Sequence, residues 1–270
     1  MAKNILIVGM PRSGTSMATA IFSRRGYFVA EDESTELREG DFYNPSGYFE
    51  AEQLIALNDS ILSRAGFEPD NTWLFRQIQE SEADNVFSVR VESADLDFLA
   101  NYNEHSPWIW KDPRLCYTLA YWWPRMDQSS TRVVLLTRST AQIYNSFLRL
   151  GWCNGTAQAK ADVEERVRDH IDFARKTIAH FDIPHLEIDY SLFQSEPDVA
   201  ANKLAAIAET ELTPEDLGFD KDLNSSGLRG QVQMFADRLY DRLPAPVHKL
   251  AKNLLPNSLK AAFLGQRYKG

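Results

Sequence analysis

The sequence predicts an α/β fold, a parallel sheet flanked by helices with a helical C-terminal extension. Short apolar runs bounded by turn signals, at residues 5–8, 108–110 and 132–137, alternate with longer segments whose apolar residues recur every three or four positions. That alternation is the pattern of strands joined by crossover helices. The first run feeds straight into a glycine-bounded loop and a helix start, the usual opening of such a sheet. The 270 residues are 44% hydrophobic and 25% charged, enough apolar material for one sizeable core.

Taken in order, residues 5–8 end at Gly9. Gly9, four further residues, Gly14, Thr15 and Ser16 then match the phosphate-binding pattern G-x-x-x-x-G-K-[ST] everywhere except at the lysine, where Thr15 stands. Backbone N–H groups of such a loop point inward and the next helix presents its positive end, so an anion is held without side chains. The sheet is therefore expected to be of the P-loop nucleotide-hydrolase-like kind. The missing lysine is the group that reaches the terminal phosphates of a nucleoside triphosphate, and Arg12 inside the loop is the candidate replacement charge. A helix follows from Ser16, with Met17, Ala20 and Ile21 inward, and stops at Gly26. Glu31, Asp32, Glu33, Glu36, Glu39 and Asp41 form a charge run that reads as a solvated loop. Asn44-Pro-Ser-Gly47 marks a turn, and Tyr48-Phe49-Glu50 leads into a helix carrying Leu54, Leu57, Ile61 and Leu62 on one face, so Glu50 stands at a helix start.

Residues 68–104 read as two helices, around 74–82 and 94–103, separated by a run at 86–91 with the composition of a strand. The compact strand at 108–110 ends in the charged turn Lys111-Asp112-Pro113, followed by a helix over 115–123 closed by Pro124. Residues 132–137 form a buried strand with Arg138 at its carboxyl end, and Ser139 is placed to cap a helix running to Leu150. Val163, Val167, Ile171, Ala174, Ile178 and Phe181 make a core stripe along a helix over 161–181; a strand at 184–189 and a helix over 197–210 come next. The domain is expected to span 1–241. Residues 242–270 differ in character: six Lys or Arg, no Asp or Glu, and interleaved leucines, a basic amphipathic tail suited to packing on the domain or to peripheral contact with an anionic membrane.

The net charge of −9 argues against nucleic acid as the main partner, so any anion site must be built locally. Cys116 and Cys153 suggest neither a disulfide framework nor a zinc site, and residues 5–8 are too short for a signal peptide or membrane span; a cytoplasmic location is expected. Ligands of open parallel sheets bind beyond the carboxyl ends of the strands, at the switch point of the winding. Arg12, Lys111 and Arg138 stand at three such ends, which suggests a pocket for a ligand with more than one anionic group.

These residues resemble the sulfotransferase family, enzymes that move a sulfuryl group from 3'-phosphoadenosine 5'-phosphosulfate to a hydroxyl or amine. Pro11-Arg12-Ser13-Gly14-Thr15-Ser16 resembles the family's loop for the 5'-phosphosulfate, in the form found in its tyrosylprotein and bacterial branches. Arg138, with Ser146 eight residues later, is similar to the pair that binds the 3'-phosphate. Lys111-Asp112-Pro113 resembles the Lys-Asp-Pro turn of the tyrosylprotein branch, whose lysine stabilises the transition state. Residues 44–50 with Leu57-Asn58-Asp59 resemble bacterial members. The matched stretches lie between Gly9 and Ser146. The family's glycine-rich C-terminal cofactor motif is not recognisable; Arg229 is the candidate substitute.

The resemblance implies a P-loop α/β fold, the phosphosulfate nucleotide as co-substrate, a hydroxyl-bearing acceptor (glycan, lipid or small metabolite) and in-line transfer without a metal. Arg12 would neutralise the bridging oxygen, Lys111 the sulfuryl oxygens, and a carboxylate would take the acceptor proton. Two carboxylates are candidates: Glu33, 21 residues after Arg12 as in the tyrosylprotein branch, and Glu50, whose local geometry is better defined. A P-loop kinase or NTPase is the rival reading; it needs a lysine at position 15 and an aspartate closing an apolar strand, which only Asp189 could supply. A non-catalytic nucleotide-binding protein of the same fold is the other. Ser146 lies roughly 12 Å along the helix axis from Arg138 at 1.5 Å per residue, so sharing one phosphate requires Arg138 to reach along the helix.

Overall fold

The computed structural model describes residues 1–38, 47–67 and 83–217. Four strands, β1 (Asn4–Gly9), β2 (Ile109–Lys111), β3 (Thr131–Thr137) and β4 (His185–Asp189), form one parallel sheet in the order β2-β1-β3-β4. The chain winds from β1 to β2 on one side and then crosses to β3 on the other, so the switch point lies between β1 and β3. Side chains alternate across the strands. Leu6, Val8, Trp108, Trp110, Val133 and Leu135 face one core, whereas Ile5, Ile7, Ile109, Val134, Leu136 and Ile188 face the other. A strand with apolar residues on both faces must be covered twice, and helices lie on both sides.

One face is covered by α1 (Thr15–Ser23) and by α9 (Pro197–Ala208), which follows the single turn α8 (Leu192–Ser195). The other carries α3 (Glu52–Arg64), α4 (Ser93–Glu104), α5 (Leu115–Trp122) and the long α7 (Ala157–Phe181), around a core that includes Trp108, Trp110, Trp122 and Trp123. Helix α6 (Thr140–Leu150) packs Ile143 and Phe147 on Met10 of the loop and on Val163 and Val167 of α7. The one-turn helix α2 (Glu33–Glu36) begins behind Asp32, whose carboxylate accepts from the Ser34 N–H.

Several boundaries differ from the sequence reading. Residues 86–91 are not a strand: Asn85–Ser88 form a 3-10 turn whose Val86 is buried under α5, an apolar anchor too short to show a period. Helix α7 starts at Ala157, four residues before the expected start at 161, because the Thr156 hydroxyl caps the Ala159 N–H at 3.2 Å. Ser139 is the N-cap residue of α6 without a side-chain capping bond. The expected helix over 74–82, Arg229 and the tail 242–270 lie outside the described residues. Among the described residues, no helix is long and apolar enough to cross a membrane.

Candidate active site

Strand register brings the three cation-bearing ends together. Lys111, the last residue of β2, lies opposite Ile7, and Leu136 on β3 lies opposite Gly9, so Lys111 and Arg138 flank the root of the loop between them. Gly9 is held close by that packing: a Cβ there would sit 2.7 Å from the Leu136 carbonyl oxygen and 2.8 Å from Ser13 Oγ. Within the loop, Arg12 (φ 69°) and Gly14 (φ 98°) both take left-handed backbone, the conformation that turns successive N–H groups into a concave nest. Ser13 is buried and its hydroxyl is spent inside the loop, donating to the Met10 carbonyl at 2.6 Å. Pro11 and Thr15 are buried, Ser16 is half-buried in the first turn of α1, and the Thr19 hydroxyl donates to the Thr15 carbonyl at 2.9 Å.

The Arg138 and Ser146 pair is joined through the loop. Arg12 reaches across the switch point and donates from Nε to Ser146 Oγ at 3.0 Å, while Arg138 donates from Nη1 to the Arg12 carbonyl at 2.9 Å and from Nε to Gln142 Oε1 at 2.8 Å. Arg138 thus does extend one turn along α6, and Arg12 occupies the gap to Ser146. Burial pulls the Arg138 guanidinium below its ordinary pKa, with the nearby Arg12 and Arg149 charges adding to the effect against the pull of Tyr190 and Asp189.

Tyr190, which sequence reasoning did not single out, is the floor of this half. It follows β4, its N–H donates to the Thr137 carbonyl at 2.8 Å, and the Arg138 guanidinium lies 4.2 Å above its ring centre. The same ring closes on the loop: a Cβ at Gly14 would overlap Tyr190 Cδ2 and lie 2.7 Å from Cε2. The signal available was its position, an aromatic residue immediately beyond the carboxyl end of a strand. A cavity of about 220 Å³ opens beside Ser13, Thr137 and Arg138 and is closed by Val167, Arg168 and Arg175 of α7. It is smaller than the roughly 300–1,000 Å³ of whole-ligand pockets.

The other half is built on the end of β2. Lys111 is 3% exposed and Glu50 2%, and they form a direct ion pair between Nζ and Oε1. Arg38 Nη1 donates to Glu50 Oε2 at 3.1 Å, and its guanidinium lies 4.4 Å over the Tyr48 ring. Burial alone would raise the Glu50 carboxyl, but the charges and hydrogen bonds of Lys111 and Arg38 outweigh it and hold the group below the usual carboxylate range. Asp112 serves the turn instead. It accepts from Asn58 Nδ2 at 2.8 Å, the Arg114 N–H at 3.1 Å and Arg114 Nη1 at 3.0 Å, and Asn58 in turn accepts from the Thr118 hydroxyl and the Trp122 indole, both at 2.8 Å. Asp59 completes the network on Arg114 Nε at 2.5 Å. Burial pushes the Asp112 carboxyl up, against the pull of Arg114.

Of the two carboxylate candidates, the fold brings Glu50 to the strand ends and leaves Glu33 exposed on α2, with no hydrogen bond or ion pair to the loop, Lys111 or Arg138 among the described residues. Asp189 stands on β4, three strands from Lys111 in the described sheet, with Oδ1 taken up by the Ser191 N–H at 2.8 Å and hydroxyl at 2.5 Å. The strand beside β1 at the switch point ends in Arg138.

No protein-family model matches the sequence, and no curated protein matches it either. Among solved structures, the chain is similar to a sulfotransferase domain of the curacin biosynthetic pathway (12% identity over 85% of this chain and 82% of that one, TM-score 0.47). It is similar to a sulfotransferase domain of the Synechococcus PCC 7002 olefin synthase (16%, 85% and 82%, TM-score 0.44). A sulfotransferase of Mycobacterium tuberculosis H37Rv is a further likeness (13%, 83% and 76%, TM-score 0.42). At these TM-scores the likenesses carry no argument about what this chain does.

Proposed function

We propose that this chain is a sulfotransferase that moves a sulfuryl group from 3'-phosphoadenosine 5'-phosphosulfate to a hydroxyl or amine acceptor. One arrangement supports the reading above all others: a loop in nest geometry at the switch point links its Arg12 to Arg138 beyond β3 and to Ser146 on α6, and a buried lysine–carboxylate pair stands at the adjoining strand end. A ligand with two separated anionic groups and a reactive anhydride suits that layout. The loop amides and the amino end of α1 would take the 5'-phosphate, Arg138 and Ser146 the 3'-phosphate, and Arg12 the bridging oxygen.

In the transfer, the acceptor oxygen attacks sulfur, the bond from sulfur to the bridging oxygen breaks, and the 3',5'-bisphosphate departs with that electron pair. Glu50, ionised at neutral pH, takes the acceptor proton. Protonation neutralises the carboxylate that Lys111 faces at rest, so the lysine charge becomes available to the sulfuryl and leaving-group oxygens as negative charge grows there. Glu33 is set aside as base because it is exposed on α2.

A triphosphate-cleaving reading is disfavoured on the residues present: Thr15 replaces the lysine, and β3 ends in a cation where a magnesium-binding aspartate would stand. Calorimetric titration with 3'-phosphoadenosine 5'-phosphate, beside ATP with magnesium, tests the proposal. The expected result is tighter binding of the bisphosphate; equal or stronger binding of ATP with magnesium contradicts it.

A further inference from the structure

We propose that Arg38 is a positioning residue for the Glu50 carboxylate: at rest it holds Oε2, and it gives that oxygen up to the incoming acceptor hydroxyl. The inference rests on Glu50 as the proton acceptor of the proposed transfer.

The two oxygens of Glu50 are divided between two cations, Oε1 to Lys111 and Oε2 to Arg38. Each oxygen keeps a further lone pair, and an acceptor hydroxyl meets the carboxylate with least obstruction at the oxygen whose cation can yield. Lys111 is fixed as the last residue of β2 and its charge is buried, so drawing it away from Glu50 would leave an uncompensated ammonium out of water. Arg38 differs on both counts. Its side chain is 37% exposed, so its guanidinium can pass into water at small cost, even though in the paired position it also lies 4.4 Å over the Tyr48 ring. Its backbone is pinned independently of the ion pair: the Arg38 N–H donates to the Glu50 carbonyl at 2.9 Å and Leu37 bridges Ala51 in antiparallel fashion. The side chain can therefore swing while residues 37–38 and 50–51 stay in register. Among the described residues, the charged and titratable groups facing Glu50 are Lys111 from β2, Arg38, and Asp112 from the turn beyond β2, whose carboxyl the Glu50 charge pushes up; the Tyr48 ring lies under both cations. Of these, Arg38 alone sits at the solvent side.

The test reads Glu50 directly. The full chain, labelled with carbon-13 at glutamate carboxyls, is titrated without ligand, and the Glu50 signal is assigned by its loss in Glu50→Gln. In Arg38→Met the Glu50 midpoint is expected to rise by roughly one to three pH units, the effect of removing an opposite charge at this distance. Arg38→Lys should bring it most of the way back. A midpoint in Arg38→Met equal to that of the wild type overturns the proposal. In turnover the acid limb of kcat/KM for Arg38→Met should move up by the same amount with donor affinity unchanged; an unmoved limb beside a moved carboxyl signal also overturns it. If the carboxyl signal moves and no sulfuryl is transferred to any acceptor, the sulfotransferase reading fails while the hold of Arg38 on Glu50 stands.

Discussion

The two halves of the site handle charge in opposite ways. Around the loop after β1, backbone N–H groups lie beside two arginines whose hydrogen bonds include ones to a serine hydroxyl, a glutamine oxygen and a carbonyl. Around the end of β2, two cations close on one buried carboxylate, Lys111 from inside and Arg38 from the solvent side. The second half carries its own buried anion, so chemistry at β2 must open an existing pair, whereas the first half is knitted through hydroxyl, amide and carbonyl groups. The division matches a donor held by fixed positive groups and an acceptor that enters only when a proton and a charge can be exchanged.

If the β2 half is a closed charge pair, removing one member should be the most damaging change in the molecule. Lys111→Met is expected to cost about 3–5 kcal/mol of stability in urea unfolding, the usual penalty for leaving a buried charge alone. The double variant Lys111→Met with Glu50→Gln should recover a large part of that loss. Equal losses in the single and the double variant would break the comparison.

The loop half should fail sterically instead. Gly14→Ala places a Cβ in left-handed backbone and against the Tyr190 ring, for a cost of about 1–3 kcal/mol and a marked loss of bisphosphate affinity by calorimetry. Wild-type affinity in that variant would show that the nest is not the anion site.

Acidification should separate the halves too. The folded Glu50 carboxyl lies below its unfolded value, so its stabilisation is complete above the ordinary glutamate pKa of about 4.3 and is lost as pH falls through the folded value. The urea midpoint of Glu50→Gln should therefore fall less steeply with acid than that of the wild type in that window. Parallel slopes would mean that Glu50 is not held ionised.

The smallest effect is expected under Arg138. Tyr190→Leu removes the ring beneath the guanidinium, an interaction of about 0.5–2 kcal/mol, and should weaken bisphosphate binding several-fold to about 30-fold, while Tyr190→Phe should not. If both variants bind like the wild type, Arg138 is held by its hydrogen bonds alone.

What the sequence made legible follows the range over which each feature is written. The strand–loop–helix opening and the sheet class are local, carried by Gly9, Gly14 and a few apolar runs, and they were readable. So was Arg138 at a strand end. The junction of Arg12 with Ser146 was not, because it depends on β1 and β3 being neighbours, a contact between residues 134 positions apart. Tyr190 was hidden for the same reason: its meaning comes from pairing of β4 with β3. Arg38 was masked by the acidic run around it, in which a lone cation reads as a solvated charge, and its partner Glu50 lies beyond the turn. Asn58 and Asp59 were visible as residues but not as the support of Asp112 and Arg114, which requires α3 to lie beside the turn after β2. The strand expected at residues 86–91 failed because a short apolar run carries no period with which to tell a strand from a buried turn.

The most direct test of the account is the 3'-phosphate preference at the switch point. Calorimetric titration of the wild type and of Arg138→Met with 3'-phosphoadenosine 5'-phosphate and with adenosine 5'-phosphate measures it in four experiments. The wild type is expected to favour the bisphosphate by about tenfold or more, as one charge-assisted contact of about 1.5–3 kcal/mol requires, and Arg138→Met to lose that preference while still binding the monophosphate. A wild type that does not distinguish the two nucleotides, or a preference that survives in Arg138→Met, would contradict it.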